Sequence, residues 1–183
     1  RFLDAVSDKD ISFYAFEVLY WTGIREGELL ALTPEDFDLD AATLTISKSF
    51  ARSNGKDVMG LPKTKMSYRT IVLSDFLVEE LRTWFEYSDF AEGERIFPHT
   101  KSFLHHEMDR GCAKSGVKRI RIHDLRHSHV SLLIDMGYSA VAIAERTGHE
   151  STDITYRYAH LFPDVQDDMA NTLQGISDER KKR

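Results

Sequence analysis

Two short clusters of polar residues in the C-terminal half of the sequence have side chains that can act on a phosphate group. His123 and Arg126 are three residues apart, so on a helix they project from the same face of its first turn. A helix N-terminus adds unpaired N–H groups and a partial positive charge. Histidine, guanidinium and helix start together predict a phosphate site, although an ordinary polar helix start is the simpler interpretation.

The second cluster contains a glycine, a histidine and a tyrosine. Gly148 permits a sharp turn that presents His149 on a loop, and Tyr158 follows nine residues after that histidine. A single tyrosine on a helix is usually a packing residue, so only the neighbouring residues make Tyr158 a candidate for a functional role. Tyr156 is a rival, but residues two apart on a helix face different ways, so only one of them can serve the site.

We expect helices to position the residues of both clusters, because most of the sequence has hydrophobic residues at helical spacing. This spacing, with its caps and glycine stops, predicts helices over residues 2–21, 25–31, 75–87, 101–117, 124–136, 139–148, 151–160 and 163–176. Alternation predicts strands over 43–50 and 69–73, with a turn signal at Ser53-Asn54-Gly55 between them. The predicted fold class is α+β, mainly helical, with one small antiparallel sheet.

Length and composition limit the protein class. A chain of 183 residues suits one domain, and it has no apolar run near the ~20 residues that span a membrane. The N-terminus turns acidic at once, unlike a signal peptide, and a chain starting at Arg1 resembles an excised fragment. The lone Cys112 rules out an internal disulfide and predicts a reducing, cytoplasmic location.

Charge is distributed unevenly along the chain. The net charge is −6, yet residues 48–69 carry a net +5 and residues 101–129 a net +4. A basic cleft on an acidic body is compatible with a polyanionic partner, since the local field matters more than the sum. Two solvated basic loops are the alternative interpretation.

Four strings in order resemble one known family, and they cover almost the whole chain. They are Thr-Gly-Ile-Arg-Glu-Gly-Glu-Leu-Leu-Ala-Leu at 22–32, His-Asp-Leu-Arg-His-Ser-His at 123–129, Thr-Gly-His at 147–149 and Tyr-Ala-His at 158–160. The sequence resembles the catalytic domain of the tyrosine recombinases, or phage integrases. It most resembles integrases of phages and conjugative transposons of Gram-positive bacteria.

The resemblance implies a tyrosine recombinase catalytic-domain fold over residues 1–183, without the upstream core-binding and arm-binding domains. It implies six catalytic residues, namely Arg25, Lys63, His123, Arg126, His149 and Tyr158. Lys65 is a rival for the lysine of the hairpin, and Thr147 stands where leucine is usual. Residues 161–183 would form a C-terminal helix and tail that packs either on a neighbouring protomer or on its own domain.

The implied reaction is transesterification at a DNA phosphodiester, which forms a 3′-phosphotyrosyl link and releases a 5′-hydroxyl. Because a phenol has a pKa near ~10, Tyr158 needs a base or a strongly cationic site. His123 is the predicted proton acceptor, and Lys63 would protonate the departing 5′-oxygen.

The other implied residues bind the phosphate. Arg25 and Arg126 would hold its non-bridging oxygens and stabilise the transition state. His149 would donate to a phosphate oxygen or orient the nucleophile. Since cationic side chains take the place of metal ions and the ester energy is kept in the covalent link, no metal and no nucleotide cofactor is expected.

The implied partner is double-stranded DNA at attachment sites. The basic blocks supply the predicted DNA-binding residues Lys48, Arg52, Lys56, Lys65, Arg69, Lys114, Lys118, Arg119 and Arg121. The family further implies a homotetramer on two duplexes, an accessory directionality factor and no membrane partner. Integration, excision and resolution of a mobile element all remain open.

Three other classes of protein fit parts of the pattern. His123 and His127 have the i, i+4 spacing of helical metal ligands, with His129 nearby, but the usual glutamate beside the first histidine is missing. A DNA-binding regulator without catalysis would not need every implied catalytic position filled. A type IB topoisomerase uses similar chemistry with a different spacing from Gly-His to the tyrosine. Insensitivity to EDTA would separate the recombinase from the metal enzyme.

Overall fold

A computed structural model describes residues 1–53, 55–60, 67–149, 157–158, 161 and 169–174. The helices of five or more residues are α1 Phe2–Val6, α2 Asp10–Thr22, α4 Asp75–Tyr87, α5 Lys101–Ser115, α6 Ile122–Asp135 and α7 Ala140–Thr147. Two shorter ones are α3 Glu26–Leu29 and a 3₁₀ helix at Pro34–Asp36. The strands are β1 Phe37–Asp38, β2 Thr43–Ile46, β3 Ser49–Ser53, β4 Lys56–Gly60 and β5 Arg69–Val72.

Helix α2 is the centre of the main hydrophobic core, and α1, α3, α4 and α6 all pack against it. Phe16 and Leu19 are buried, and the ring of Tyr14 stacks on that of Trp84 with a centroid distance of 4.3 Å. Each fully buried side chain of this size contributes about 1.5–3 kcal/mol. This core fixes the C-terminal end of α2, which borders the site described below.

The predicted N-terminal helix over 2–21 is two helices, because the chain turns at residues 7–9. The Ser7 hydroxyl donates to the carbonyl of Asp4, and Lys9 is extended with φ −137°. The turn lets α1 pack on α5, where the position of a Cβ on Gly111 lies 2.6 Å from the side chains of Phe2 and Val6. Glycine is therefore required for this close contact.

The predicted fold class is confirmed, but the strands are arranged differently from the prediction. Strands β1, β2 and β5 form one antiparallel sheet, with Leu44 opposite Ile71, whereas β3 and β4 form a separate hairpin. The turn after Ser53 therefore joins β3 to β4, and the predicted strand 43–50 splits where the chain changes sheet. Strand β4 was missed because all five of its residues are exposed, so no alternation marks it.

Helix α7 begins and ends where its caps predict, whereas α5 ends two residues earlier and α6 begins two residues earlier than predicted. The Ser139 hydroxyl accepts from the backbone N–H of Ala142 at the start of α7. Gly148 ends α7 with φ 66°, and its N–H donates to the carbonyl of Ala144. Residues 157–158 and 169–174 are helical, and most of the two last predicted helices lies outside the described residues. In the part of the chain that the structure describes, no helix is long and apolar enough to cross a membrane.

Candidate active site

Arg126 lies at the centre of the site, on the second turn of α6 and only 2% exposed. Its Nη1 donates to the carbonyl of Gly23 at 2.6 Å, and its Nη2 donates to the carbonyl of Thr147 at 2.5 Å. The guanidinium thus joins the ends of α2 and α7. Burial lowers the pKa of Arg126 to about 9, which leaves it charged at neutral pH.

His149 follows the end of α7 and contacts Arg126 directly. Its Nε2 accepts from Nε of Arg126 at 3.3 Å, so Nδ1 carries the hydrogen of the neutral ring. That Nδ1 lies 3.2 Å from the hydroxyl of Thr147, which itself donates to the carbonyl of Ile143 at 2.6 Å. Burial, followed by the charges of Arg126 and Arg25, lowers the pKa of His149 to about 3, so its ring stays neutral.

Arg25 reaches the same turn from the other side. It precedes α3, its side chain is 37% exposed, and its Nη2 donates to the carbonyl of Gly148 at 2.8 Å. Its Nη1 donates to Glu28 Oε1 at 2.8 Å. Arg25 and Arg126 are therefore fixed by neighbouring carbonyls, with one guanidinium buried and the other open to solvent.

Glu28 organises this side of the site, and the sequence prediction missed it. It is 3% exposed, and its carboxylate accepts from Arg25 and from both Nη atoms of Arg69. Burial opposes ionisation of Glu28, but the bonds from Arg69 and Arg25 hold its pKa below the usual value. The available signal was the spacing, since a glutamate three residues after a helix-capping position reaches back to it.

Arg69, one of the predicted DNA-binding residues, has a buried side chain that bonds within the domain. Its side chain is buried, and its two Nη atoms donate to the two carboxylate oxygens of Glu28 as a bidentate ion pair. Its Nε donates to the carbonyl of Arg146 at 2.9 Å. A buried guanidinium with these partners cannot reach a duplex in this conformation. Arg69 therefore supports Arg25 through Glu28, and its contact with DNA stays a prediction.

Tyr158 packs at the other edge of α6, in a small hydrophobic cluster with Val130, Ile134 and Ile143. It is 5% exposed, and its hydroxyl forms a short hydrogen bond with Nδ1 of His127. Burial raises the pKa of the phenol, while the cations of Arg157 and Arg126 lower it. Sequence reasoning considered His127 only as a metal ligand and missed this contact.

His123 lies one turn before His127 and is exposed. The two rings meet edge to face, with centroids 4.7 Å apart. His123 also helps to lower the pKa of His149, which places it on the same side of α6 as the buried arginine. The structure thus brings Arg25, His123, Arg126, His149 and Tyr158 to one region, whereas Lys63, Lys65 and Tyr156 lie outside the described residues.

Most of the other predicted DNA-binding residues lie on the surface beside carboxylates. The surface ion pairs are Arg52 with Asp57, Lys114 with Asp8, Arg119 with Asp109 and Arg121 with Asp124. Lys48 differs, because it is only partly exposed and its partner Asp36 is buried. Lys56 and Lys118 are exposed. Surface pairs contribute only about 0–1 kcal/mol, so these cations remain able to exchange a carboxylate for a phosphate.

The alternative of a metal site is not supported by any cluster of ligand side chains in the described residues. Among residues 1–53, 55–60, 67–149 and the short described segments that follow, no three His, Cys, Asp or Glu side chains are grouped to hold a metal ion.

Comparison with known sequences identifies the family. The family model described as "Phage integrase family" matches residues 2–164. The chain belongs to the phage integrase family. This family member is 33% identical over 192 residues to the ICEBs1 integrase of Bacillus subtilis strain 168, a match that covers 96% of this chain and 52% of that protein. It is 28% identical to the integrase of Staphylococcus phage L54a, over 88% of this chain and 51% of that one.

Solved structures show the same fold. The Tn1549 transposon integrase in complex with circular intermediate DNA matches with a TM-score of 0.76 at 19% identity, over 95% of this chain and 63% of that one. The catalytic domain of bacteriophage HP1 integrase matches with a TM-score of 0.64 at 20% identity, over 97% and 91%. The predicted tyrosine recombinase catalytic-domain fold is confirmed. The chain spans about half the length of the curated relatives it matches.

Proposed function

We propose that the chain is the catalytic domain of a tyrosine-type site-specific DNA recombinase, an integrase that moves a mobile element. The observation that supports this most strongly is the turn at 147–149. It holds Arg25 and Arg126 through consecutive carbonyls and presents His149 between them. Two fixed guanidinium groups and a neutral imidazole form a site that matches a phosphodiester in charge and geometry.

The phosphate would bind where these three side chains converge. Arg126 keeps its backbone partners and supplies fixed positive charge, which is stronger in a buried site than in water. Arg25 is open to solvent, so it can contact a non-bridging oxygen without losing its bond to Gly148. The exposed His123 would contact a remaining oxygen. His149, whose two ring nitrogens bond to Arg126 and Thr147, would hold the buried guanidinium in place.

The reaction proposed is in-line attack by Tyr158. Its Oη forms a bond to phosphorus, the bond from phosphorus to the 5′-oxygen breaks, and Lys63 supplies the proton to that oxygen. The ester is conserved as a 3′-phosphotyrosyl link, so a second 5′-hydroxyl can reverse the step on another strand. No metal or nucleotide cofactor takes part in this scheme.

The proposed partner is double-stranded DNA, in the bacterial cytoplasm. Solved relatives of the same fold support it, because the Tn1549 integrase and XerH were both determined bound to DNA. The exposed Met169 and Leu173 support packing of residues 161–183 on a neighbouring protomer. On a helix these two residues would form a hydrophobic stripe with Phe162, Val165 and Ile176, which lie outside the described residues. A tetramer on two duplexes, an accessory directionality factor and upstream DNA-binding domains complete the proposal.

A covalent trap tests the function. End-labelled, nicked duplexes from a random-sequence pool are mixed with the chain in EDTA and denatured in SDS, with Tyr158→Phe and Tyr156→Phe run alongside. A labelled protein band that is lost only in Tyr158→Phe is expected. A band lost only in Tyr156→Phe would keep the family chemistry and overturn the nucleophile, and a band that requires a divalent metal would overturn the mechanism.

A further inference from the structure

The contact between Tyr158 and His127 concerns the first proton transfer of the proposed reaction. The phenol is buried and its hydroxyl bonds to Nδ1 of His127. His127 lies on α6 one turn after His123, the residue that the sequence predicts as the proton acceptor. In the structure, the phenol of Tyr158 bonds to His127, the later of these two histidines in the sequence.

Burial and the charges around His127 favour the neutral form of its ring. Burial, then the cation of Arg157, lowers the pKa of His127, and Arg121 and Arg126 act in the same sense while Asp124 opposes them. His123 faces it from the same helix. A neutral imidazole has one free nitrogen. In the tautomer whose free nitrogen is Nδ1, that atom accepts and the phenol of Tyr158 donates.

We propose that His127 is the catalytic base for Tyr158, and this inference rests on the proposed function. As Oη bonds to phosphorus, the Oη–H electron pair stays on oxygen and the proton passes to Nδ1 of His127. The bond from phosphorus to the 5′-oxygen breaks, and that oxygen is protonated by Lys63. On rejoining, the 5′-oxygen attacks and Tyr158 leaves, taking its proton back from His127.

The same geometry gives His123 a different task. It is exposed at the start of α6, beside the N–H groups of the helix N-terminus, and its ring packs edge to face on His127. That position suits contact with the phosphate of a bound duplex. His127, behind it, has the phenol within hydrogen-bond reach, which is the first requirement for a general base.

A matched pair of asparagine variants separates the two histidines. Asparagine keeps an acceptor close to the Nδ1 position but cannot take a proton, so His127→Asn retains the hydrogen bond and loses the base. The rate of covalent-complex formation is measured with the nicked duplex pool between about pH 5 and pH 8. His127→Asn should be slower by about 10²-fold and should lose the rise in rate that accompanies deprotonation of the imidazole.

The control is His123→Asn, one turn earlier on the same helix. It should keep the rise in rate with pH even if its rate at every pH is lower. The proposal is overturned if His127→Asn keeps that rise, or if the rise disappears in His123→Asn alone.

A second measurement without DNA keeps the inference separate from the proposed function. The pKa of His127 is followed by NMR in the wild type, in Tyr158→Phe and in Tyr138→Phe, whose ring is exposed. Loss of the donated hydrogen bond should raise the pKa of His127 in Tyr158→Phe and leave it unchanged in Tyr138→Phe. An unchanged value in Tyr158→Phe overturns the inference. A shifted value with no covalent complex in the wild type supports the pair and counts against the function.

Discussion

Arg25 and Arg126 donate to consecutive carbonyls of one turn, although they come from opposite ends of the domain. Nη2 of Arg126 lies 2.5 Å from the carbonyl of Thr147, and Nη2 of Arg25 lies 2.8 Å from that of Gly148. The two cations therefore have a fixed separation before any substrate binds. A site whose charges are placed in advance loses little free energy to reorganisation in the transition state.

The hydroxyl of Thr147 should set the ring orientation of His149. Thr147→Val removes the acceptor for Nδ1 and keeps the side-chain shape, so we expect cleavage to slow by about tenfold, the effect of one lost hydrogen bond. The measurement is the covalent-complex rate at pH 7, with the melting temperature as a check on folding. Thr83→Val is the matched control, because Thr83 makes the same bond to the preceding turn on the exposed face of α4. An equal loss there would contradict the role of Thr147.

Glu28→Gln should destabilise the domain and weaken cleavage together. It leaves Arg25 and the buried Arg69 without their carboxylate, and breaking a buried pair costs about 3–5 kcal/mol. Because the folded-state pKa of Glu28 is lowered, its stabilisation is present above the ordinary carboxyl pKa and is lost as pH falls. Urea unfolding at neutral and acid pH measures the stability and its pH dependence, and the rate of covalent-complex formation measures cleavage.

The control for Glu28 is Asp40→Asn, which breaks an exposed pair with Arg82. It should change the free energy of unfolding by less than about 1 kcal/mol. Equal losses in the two variants would show that burial of Glu28 has no special effect.

Glu17 should make the domain less stable in mild alkali. It is buried on α2, and burial together with the nearby Glu80 raises its pKa to about 7. A raised folded-state pKa means that the stabilisation is present at low pH and lost as pH rises through 7. Glu17→Gln should thus be more stable than the wild type by roughly 3 kcal/mol at pH 8, since the pKa is raised from 4.5 to about 7 and one pKa unit corresponds to about 1.4 kcal/mol. Thermal melts at pH 5 and pH 8 test this, and exposed Glu79→Gln should show no such difference.

Gly23→Ala should damage both the fold and the site. Gly23 has φ 66°, an added Cβ would lie 2.5 Å from Cδ2 of His129, and its carbonyl accepts from Arg126. The backbone strain alone costs about 1–3 kcal/mol, and the clash adds to it. Gly116→Ala has the same helix-ending role and φ 70° with open space around it. Urea unfolding should therefore show a larger loss for Gly23→Ala, and equal losses would exclude the clash.

The sequence predicted the parts of the site that depend on local signals. Ser139 and Gly148 bound α7 as their caps predict, and spacing placed His123 and Arg126 on one helix face. Contacts between distant segments were missed. The bonds of Glu28 to Arg69 and of His127 to Tyr158 join residues 41 and 31 positions apart, and no local pattern encodes such a distance. The hairpin strand β4 was missed because it is exposed on both faces.

The turn that fixes both arginines also determines when the site can exist during synthesis. Gly23 and Arg126 are 103 residues apart, and Arg25 and Gly148 are 123 apart. A nascent chain that ends after Arg126 and before residue 147 already has both guanidinium groups, but it lacks the carbonyls of Thr147 and Gly148 and it lacks Tyr158. Premature termination in this interval therefore yields a chain that carries the cations of the site without the turn that arranges them, so the site can form only after the turn at 147–149 has been synthesised.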